Sequence, residues 1–442
     1  MVIFFEKYRC YIVLFGSYLI QLSLGSLFTF GHIQPEIVKY MNNYSFSGSS
    51  VNSGNTVSII GALTFGVGAS LSIGGYAEQK IGPGKTILIG AWLMSLNIGL
   101  MFFTLKSYLS VVVITYGFIA GLGLGFAYGV SLGRPIKWFP EHKGLVIGIV
   151  ISGFGISSAI FNSVQDAFLD EKNTNINSLP KSFLILAGIF AVLQLIGSIL
   201  VRQNSDDKLE ETLINSVSVR SSKYKPILFD YSSIGNNEIE PHQIILERDF
   251  WVLWIVFFLN SFMVYFISAS YALYFKTQTQ IKNEIILKIY FIITSLCNGA
   301  GRIFFGYLID RKPFKIVMYI ITLSCTLFIG TLPLTSLKNT YFPYIYGVSI
   351  GVIFFFTGGN YTVFPAVCAQ LFGLKNFVFK YGILYTSCSV SGIVVSALSA
   401  SFLSDATSHS YDITFIVCGS ISLIAAGFTS FFRGKSLLIH RY

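Results

Sequence analysis

Charged residues are scarce in this 442-residue sequence, where Asp, Glu, Lys and Arg make up 11% and hydrophobic residues 53%. Soluble domains carry about 25% charged residues, so the scarcity excludes an ordinary soluble protein. Cysteine is also rare, and the six residues show no CxxC spacing of a zinc site or disulfide framework. The apolar runs hold no cluster of His, Asp or Glu with catalytic spacing and no metal motif. These absences argue against a membrane-embedded enzyme, a metal site and a cofactor.

Acidic residues number only 20 against 30 basic ones, which gives a formal net charge of +10. A nucleic-acid-binding protein would gather such charge in one patch or stripe. Here the basic residues lie in short segments between apolar runs. The sequence therefore predicts no nucleic-acid partner.

Long apolar runs are what the sequence does contain, and its mean hydropathy is +0.67. Runs of about 18 or more apolar residues recur along the chain, each long enough to cross the hydrocarbon core of a bilayer. We predict an all-α membrane protein, embedded in the lipid bilayer, with twelve transmembrane helices. The predicted spans cover 10–40, 56–77, 86–104, 109–133, 144–168, 181–201, 250–275, 284–309, 314–334, 342–372, 379–403 and 411–432.

These spans predict two six-helix bundles, at residues 1–202 and 250–442, joined by a polar linker at 203–249. With the amino terminus in the cytosol, the predicted inner segments hold 21 of the 30 Lys and Arg residues. This excess is typical of the cytosolic side of a membrane protein. We therefore predict a multi-pass protein of the plasma membrane or an organelle membrane, with both termini and the linker cytosolic.

The two halves repeat a short loop after their second helices. Gly74 and Glu78 lie at the end of the second span, and Gly306 and Asp310 lie at the end of the eighth with the same spacing, 232 residues further on. Arg311 comes directly after the second acid. Such a repeat is expected of halves related about the membrane normal. Six plus six spans with this loop resemble the major facilitator superfamily. We interpret the loops as gates, in which glycine lets helices approach closely and the acid pairs with basic groups or helix ends.

Longer segments resemble the oxalate:formate antiporters and the related monocarboxylate transporters. They are IKWFPEHKGLVIGIVISGFGISSAIF at residues 136–161, NGAGRIFFGYLIDR at 298–311 and a stretch over the tenth and eleventh spans at 358–392. The resemblance implies a carrier of small organic anions. Its site would lie in a midplane cavity between the two bundles.

Two positions depart from the resembled families. Cys388 stands where the oxalate:formate antiporters carry a lysine, so the cavity would lack a second cation for a dicarboxylate. Asn298 stands where proton-coupled monocarboxylate transporters carry an aspartate, one helical turn before an arginine. The first departure favours a monocarboxylate over oxalate. The second removes proton coupling from this position and leaves His32 and Glu36 as candidate proton relays.

Arg302 lies well inside the eighth predicted span. A charge at that depth costs several kcal/mol unless a bundle interior or a water-filled cavity surrounds it, which makes it a functional-site hypothesis. A guanidinium can hold a carboxylate with two parallel hydrogen bonds. We therefore predict that Arg302 binds the anionic group of the substrate. The alternative is a structural arginine that pairs with Asp310 or with backbone carbonyls.

Other candidate substrate-binding residues surround this prediction. Asn298 and Ser295 lie one and two turns before Arg302 on its helix face, where they would orient the guanidinium, touch substrate or only pack helices. Further candidates match cavity positions of the resembled families, where aromatic rings enclose a small anion and exclude water. They are Phe28, Phe30, Tyr128, Phe154, Tyr361, Tyr381, Tyr385 and Cys388. For each aromatic, the alternative is an ordinary core or lipid-facing side chain.

The predicted function is secondary active transport of a small carboxylate, such as pyruvate, lactate or formate, by a monomer. Either a proton or a counter-anion would be its coupling partner. One alternative is a carrier of another organic anion or a neutral metabolite, with Arg302 structural. Another is a non-transporting receptor of the same fold, although the linker is short for a folded output domain.

Overall fold

The structure, a computed structural model, describes residues 2–25, 30–44, 51–168, 178–202, 239–278, 284–335, 342–402 and 408–434. These residues form helices and short connections, and no strand occurs among them. Ten helices in the described ranges are long and apolar enough to cross a membrane, and Phe314–Gly330 is a shorter apolar helix. The predicted all-α, multi-pass membrane class is therefore confirmed.

The helices of the first half begin at the amino terminus. They are α1 (Val2–Leu24), α2 (Phe30–Tyr44), α3 (Ser53–Thr56), α4 (Ser58–Ile81), α5 (Pro83–Thr104), α6 (Leu109–Val112), α7 (Ala120–Trp138), α8 (Lys143–Phe168) and α9 (Ser178–Val201). A π-helical turn, Val113–Ile119, joins α6 to α7. The first predicted span therefore corresponds to two helices, α1 and α2, and the fourth to α6, the π turn and α7.

The helices of the second half follow the linker. They are α10 (Arg248–Gln278), α11 (Glu284–Arg311), α12 (Phe314–Gly330), α13 (Leu332–Thr335), α14 (Phe342–Leu371), α15 (Phe377–Phe402) and α16 (Ser408–Thr429). The ninth predicted span corresponds to α12 and α13, and the others each match one helix. Most of the linker, residues 203–238, lies outside the described residues.

Two long seams join the halves. One is formed by α8 and α11 and the other by α4 and α15, and these are the most extensive pairings between helices of different halves. Within the halves, α4 and α5 pack on α7, and α11 packs on α14. The central site therefore lies between two antiparallel helix pairs, each of which takes one helix from each half.

Both seams are closed from one end to the other. Along α4 and α15, the Ser396 hydroxyl donates to the Val57 carbonyl at one end, and the Gln79 amide donates to Asn376 at the other. We call the end that holds Gln79 and Asn376 the linker end, because α9 ends there at Val201, and the opposite one the distal end.

Glycines allow the α8–α11 seam to be this close. A Cβ added to Gly148 of α8 would lie well inside van der Waals contact of the Arg302 carbonyl oxygen on α11. Gly358 of α14 approaches the Asn298 carbonyl of α11 from another side in the same way. Small residues at helix contacts let backbones approach within a membrane. The backbone that carries Arg302 is thus held between α8 and α14.

Gly148→Val is expected to lower the stability of the protein, because α8 and α11 would have to separate to make room for the side chain. Overpacking of this kind typically costs about 1–3 kcal/mol. Thermal unfolding in detergent measures the change. The control is Gly188→Val on α9, where an added Cβ meets nothing within 4 Å. Equal stability of the two variants would contradict the close contact at Gly148.

Candidate functional site

Arg302 lies well inside α11, and only 1% of its surface is exposed. The Arg302 Nε donates to the Asn298 Oδ1 at 2.9 Å, and one Nη donates to the Ile151 carbonyl of α8 at 3.2 Å. Both acceptors are neutral oxygens, and they orient the guanidinium. Such a buried, oriented guanidinium is suited to bind an anion.

Asp310, the acid considered as an alternative partner of Arg302, bonds to the start of α8. Its two carboxylate oxygens accept the backbone N–H groups of Gly144 and Leu145, each at 2.8 Å. A carboxylate at this position satisfies unpaired donors of the helix N-terminus and interacts favourably with the helix dipole. Asp310 therefore joins the two halves at the linker end.

Aromatic rings from both halves surround the guanidinium. The Arg302 Cζ lies 5.3 Å from the ring centroid of Phe154 and 5.5 Å from that of Tyr361, within the range of cation–π attraction. Tyr128 contacts the rings of Phe154 and Tyr385, with centroids 5.7 and 6.1 Å apart. We call these residues, with Tyr381, the central cluster: Arg302, Tyr128, Phe154, Tyr361, Tyr381 and Tyr385. The structure brings together six residues that sequence reasoning had proposed for the site.

Several buried hydroxyl groups in and beside the central cluster lack a hydrogen bond of good geometry to any described residue. They belong to Tyr361, Tyr381 and Tyr265. An unsatisfied buried hydroxyl costs about 1–3 kcal/mol, and such a group usually indicates an additional ligand or water. The cluster therefore offers one cation and several hydroxyl donors for a small polar anion.

Asn298 and Ser295 have different surroundings on α11. Asn298 bridges Arg302 to α14, since its amide nitrogen donates to the Phe354 carbonyl at 3.2 Å. The Ser295 hydroxyl donates to the Gly155 carbonyl at 2.8 Å and accepts the Ala159 N–H at 3.0 Å. Asn298 thus orients the guanidinium, and Ser295 joins α11 to α8. Contact of either residue with substrate stays a prediction.

Helix α10 contributes side chains that sequence reasoning missed. The Phe257 ring contacts Tyr361 and Tyr385, with centroids 6.2 and 6.1 Å apart. The Ser261 Oγ lies 3.1 Å from the Cys388 Sγ, which is buried. Tyr265 follows one turn after Ser261 and is also buried. The sequence pattern of α10 did not indicate these residues, because the helix is apolar on all sides. Hydropathy alone does not show which face of such a helix meets the site.

Phe30, another predicted substrate-binding residue, lies away from the central cluster. Its ring contacts Tyr116, with centroids 6.5 Å apart. Tyr116 precedes Tyr128 by twelve residues of helical chain, which corresponds to roughly 18 Å along the helix axis. The structure therefore places Phe30 toward the distal end and not in the central cluster, and its role in substrate binding stays a prediction. Phe28 lies outside the described residues.

The residues of the two predicted gating loops lie at the linker end, but they belong to the last turns of α4 and α11 and not to loops. The two groups of residues differ from each other. Asp310 bonds across the seam to α8, whereas the Glu78 Oε1 lies 3.8 Å from the Arg134 Nε within the first half. The Arg311 guanidinium stacks on Tyr307, 4.1 Å from the ring centroid. Gly306 lies against the Gly144 carbonyl, and Gly74 lies against the Phe126 carbonyl. Both glycines thus permit close helix contacts, and the gating role stays a prediction.

The structure shows no group of three His, Cys, Asp or Glu side chains that could hold a metal ion, as far as its described ranges extend. The central cluster contains a single cation and uncharged groups.

Comparison with known proteins supports the assignment of the fold. The chain is 24% identical to apicoplast pyruvate carrier 1 of Toxoplasma gondii, with 86% of this chain and 81% of the carrier covered. It is 22% identical to the oxalate:formate antiporter of Oxalobacter formigenes, with 81% and 77% covered. The second match confirms the resemblance that the sequence motifs predicted.

Solved structures show the same fold. The proton:xylose symporter XylE, bound to 6-bromo-6-deoxy-D-glucose, superposes with a TM-score of 0.71 at 13% identity and covers 96% of each chain. Residues 12–364 match the model of the Major Facilitator Superfamily. The predicted fold of twelve transmembrane helices in two bundles is therefore confirmed, and the chain belongs to the major facilitator superfamily of transporters.

Proposed function

We propose that this protein carries small monocarboxylates, such as pyruvate, lactate or formate, across a membrane, with Arg302 as the carboxylate-binding residue. The observation that carries the proposal is the fully buried guanidinium inside an aromatic cluster built from both halves. Relatives named as a pyruvate carrier and an oxalate:formate antiporter support the class of substrate.

One cation favours one carboxylate. Cys388, which replaces the lysine of the resembled antiporters, is buried beside Ser261 and adds no charge to the cluster. A dicarboxylate such as oxalate would bring two negative charges to a site with one guanidinium. Burying an uncompensated charge is strongly unfavourable, so a monocarboxylate matches the site better.

Transport would proceed by alternating access. The bundles at 1–202 and 250–442 would rock about the central cluster, and the two seams would open at one end at a time. A bound carboxylate would offset the positive charge of Arg302 and so favour closure of the site around the substrate. We further propose a monomer in the plasma membrane or an organelle membrane, with both termini and the linker at 203–249 in the cytosol.

Uptake into proteoliposomes tests the proposal. We expect saturable uptake of labelled pyruvate, lactate or formate and little uptake of oxalate. Excess unlabelled pyruvate should compete, whereas pyruvamide should not, because it has the same shape without a carboxylate charge. Liposomes without protein are the control.

Three results would contradict the proposal in different ways. Equal competition by pyruvamide would indicate a carrier of neutral metabolites. Binding of a labelled acid without turnover would indicate a receptor. The absence of uptake for every acid would indicate a different substrate.

A further inference from the structure

Three titratable side chains from three helices meet at the distal end, away from the central cluster. The His32 Nε2 lies 2.7 Å from the Asp166 Oδ1, and the Lys288 Nζ lies 3.7 Å from the Asp166 Oδ2. The side chains of His32, Asp166 and Lys288 are 11%, 21% and 38% exposed. The group is thus partly shielded and still in contact with solvent, so a proton can reach it.

The two halves contribute unequally to this group. His32 on α2 and Asp166 on α8 belong to the first half, whereas Lys288 belongs to α11 of the second half. The ion pair of Asp166 with Lys288 therefore crosses the α8–α11 seam. The His32 ring also contacts the second half, because it packs edge to face with Phe291 of α11, with centroids 4.8 Å apart.

We propose that His32, Asp166 and Lys288 form a proton-binding site that controls opening of the α8–α11 seam at the distal end. Histidine is the side chain that ordinarily changes charge between about pH 5 and 8. With His32 neutral, its Nε2–H donates to Asp166, and the Asp166 carboxylate attracts the Lys288 ammonium across the seam. This attraction holds the seam closed.

A proton on His32 changes this balance. Two positive groups then share one carboxylate, and the repulsion between them acts across the seam. Separation of α8 from α11 removes this repulsion, while the pair of His32 with Asp166 remains intact within the first half. The proton therefore binds more tightly to the open form, and by linkage acid pH favours opening of the distal end.

Other titratable groups near the site do not reproduce this effect. Glu36 and Lys39 lie one and two turns after His32 on α2, and Lys181 is exposed at the start of α9. Helix α10 presents Tyr271, whose ring contacts Phe291. The short helix α3 contributes only Ser, Gly, Asn and Thr. The other histidine described at this end, His409, lies at the start of α16, a helix that packs on α10 and α12.

Distance measurements between spin labels test the proposal without any substrate, so the outcome does not depend on the proposed transport function. The labels are placed at Ile160→Cys on α8 and Ile289→Cys on α11, two side chains that are 42% and 46% exposed. The partly exposed Cys10 and Cys297 are replaced by serine, and the other four cysteines are buried.

We expect a population with a longer distance that grows about fivefold between about pH 8 and pH 5.5, in line with typical coupling between two sites. His32→Gln keeps a hydrogen-bond donor but takes no proton, so it should remove the pH response and retain the short distance. Lys288→Gln should increase the long-distance population at both pH values, because the pair across the seam is lost. His242→Gln, at an exposed histidine of the linker end, should respond as the parent protein does.

Several results would overturn the proposal. One is a pH response that persists in His32→Gln, and another is a distance that shortens as the pH falls. An unchanged distance at both pH values in the labelled parent protein would also refute it. Lys288→Arg, which keeps the positive charge, should behave as the parent and shows whether any effect of Lys288→Gln comes from charge or from misfolding.

Discussion

Arg302→Gln is expected to lower monocarboxylate uptake about 1,000-fold, and Arg302→Lys about 10- to 100-fold. Hydrogen bonds to a charged group contribute about 1.5–3 kcal/mol each, and each 1.4 kcal/mol corresponds to tenfold in affinity. Glutamine removes the charge and the paired donors together. Lysine keeps the charge but cannot form the two parallel bonds of a guanidinium. Initial rates of labelled pyruvate uptake into proteoliposomes measure both losses.

Arg248→Gln is the matched control for this prediction. Arg248 is exposed at the start of α10, so the same substitution there should leave uptake unchanged. Thermal unfolding separates binding from folding: pyruvate should raise the unfolding temperature of the parent protein and not that of Arg302→Gln. Normal uptake by Arg302→Gln, combined with a lower unfolding temperature, would make the arginine structural.

Hydropathy predicted the helices of this fold well because crossing a membrane imposes a local constraint. A spanning segment must be apolar over about 20 residues and must satisfy its backbone groups internally, which a sequence window shows directly. Arg302 was identified for the same reason, since one charge is conspicuous in such a segment.

The rotation of each helix about its axis depends on tertiary packing, and here the sequence was less informative. Phe30 and Tyr265 are both buried aromatic residues, yet one contacts Tyr116 toward the distal end and the other lies beside the central cluster. Neither residue type nor hydropathy distinguishes the two positions. Glycines such as Gly148 and Gly358 determine which faces meet, because they permit backbone contact only on their own side.

The pairing of His32 with Asp166 could not be derived either, since the two residues are separated by 134 positions and lie on different helices. The sequence did indicate His32 as a candidate proton relay, because it lies toward the outer end of the first predicted span and Asn298 removes proton coupling beside Arg302. Its partner became apparent only when α2 and α8 were placed together.

Cys388→Lys is expected to give the protein oxalate uptake and to lower pyruvate uptake about tenfold or more. Cys388 is buried on the same helix, α15, as Tyr381 and Tyr385 of the central cluster. It follows these two tyrosines along the chain. A lysine there adds a second cation near Arg302, as in the resembled antiporters. Two cations match two carboxylates, whereas a bound monocarboxylate would leave one buried charge uncompensated at a cost of several kcal/mol.

Cys388→Met is the control, because methionine has a similar length and volume but carries no charge. It should not transport oxalate, and its pyruvate uptake should fall less than that of Cys388→Lys. Comparing Cys388→Lys with Cys388→Met separates the effect of charge on uptake from the effect of side-chain size, since lysine and methionine must both fit in the space beside Ser261. If Cys388→Lys retains full pyruvate uptake and gains none for oxalate, position 388 does not face the substrate. In that case the preference for monocarboxylates must arise from the tyrosine hydroxyls around Arg302 and not from the missing second cation.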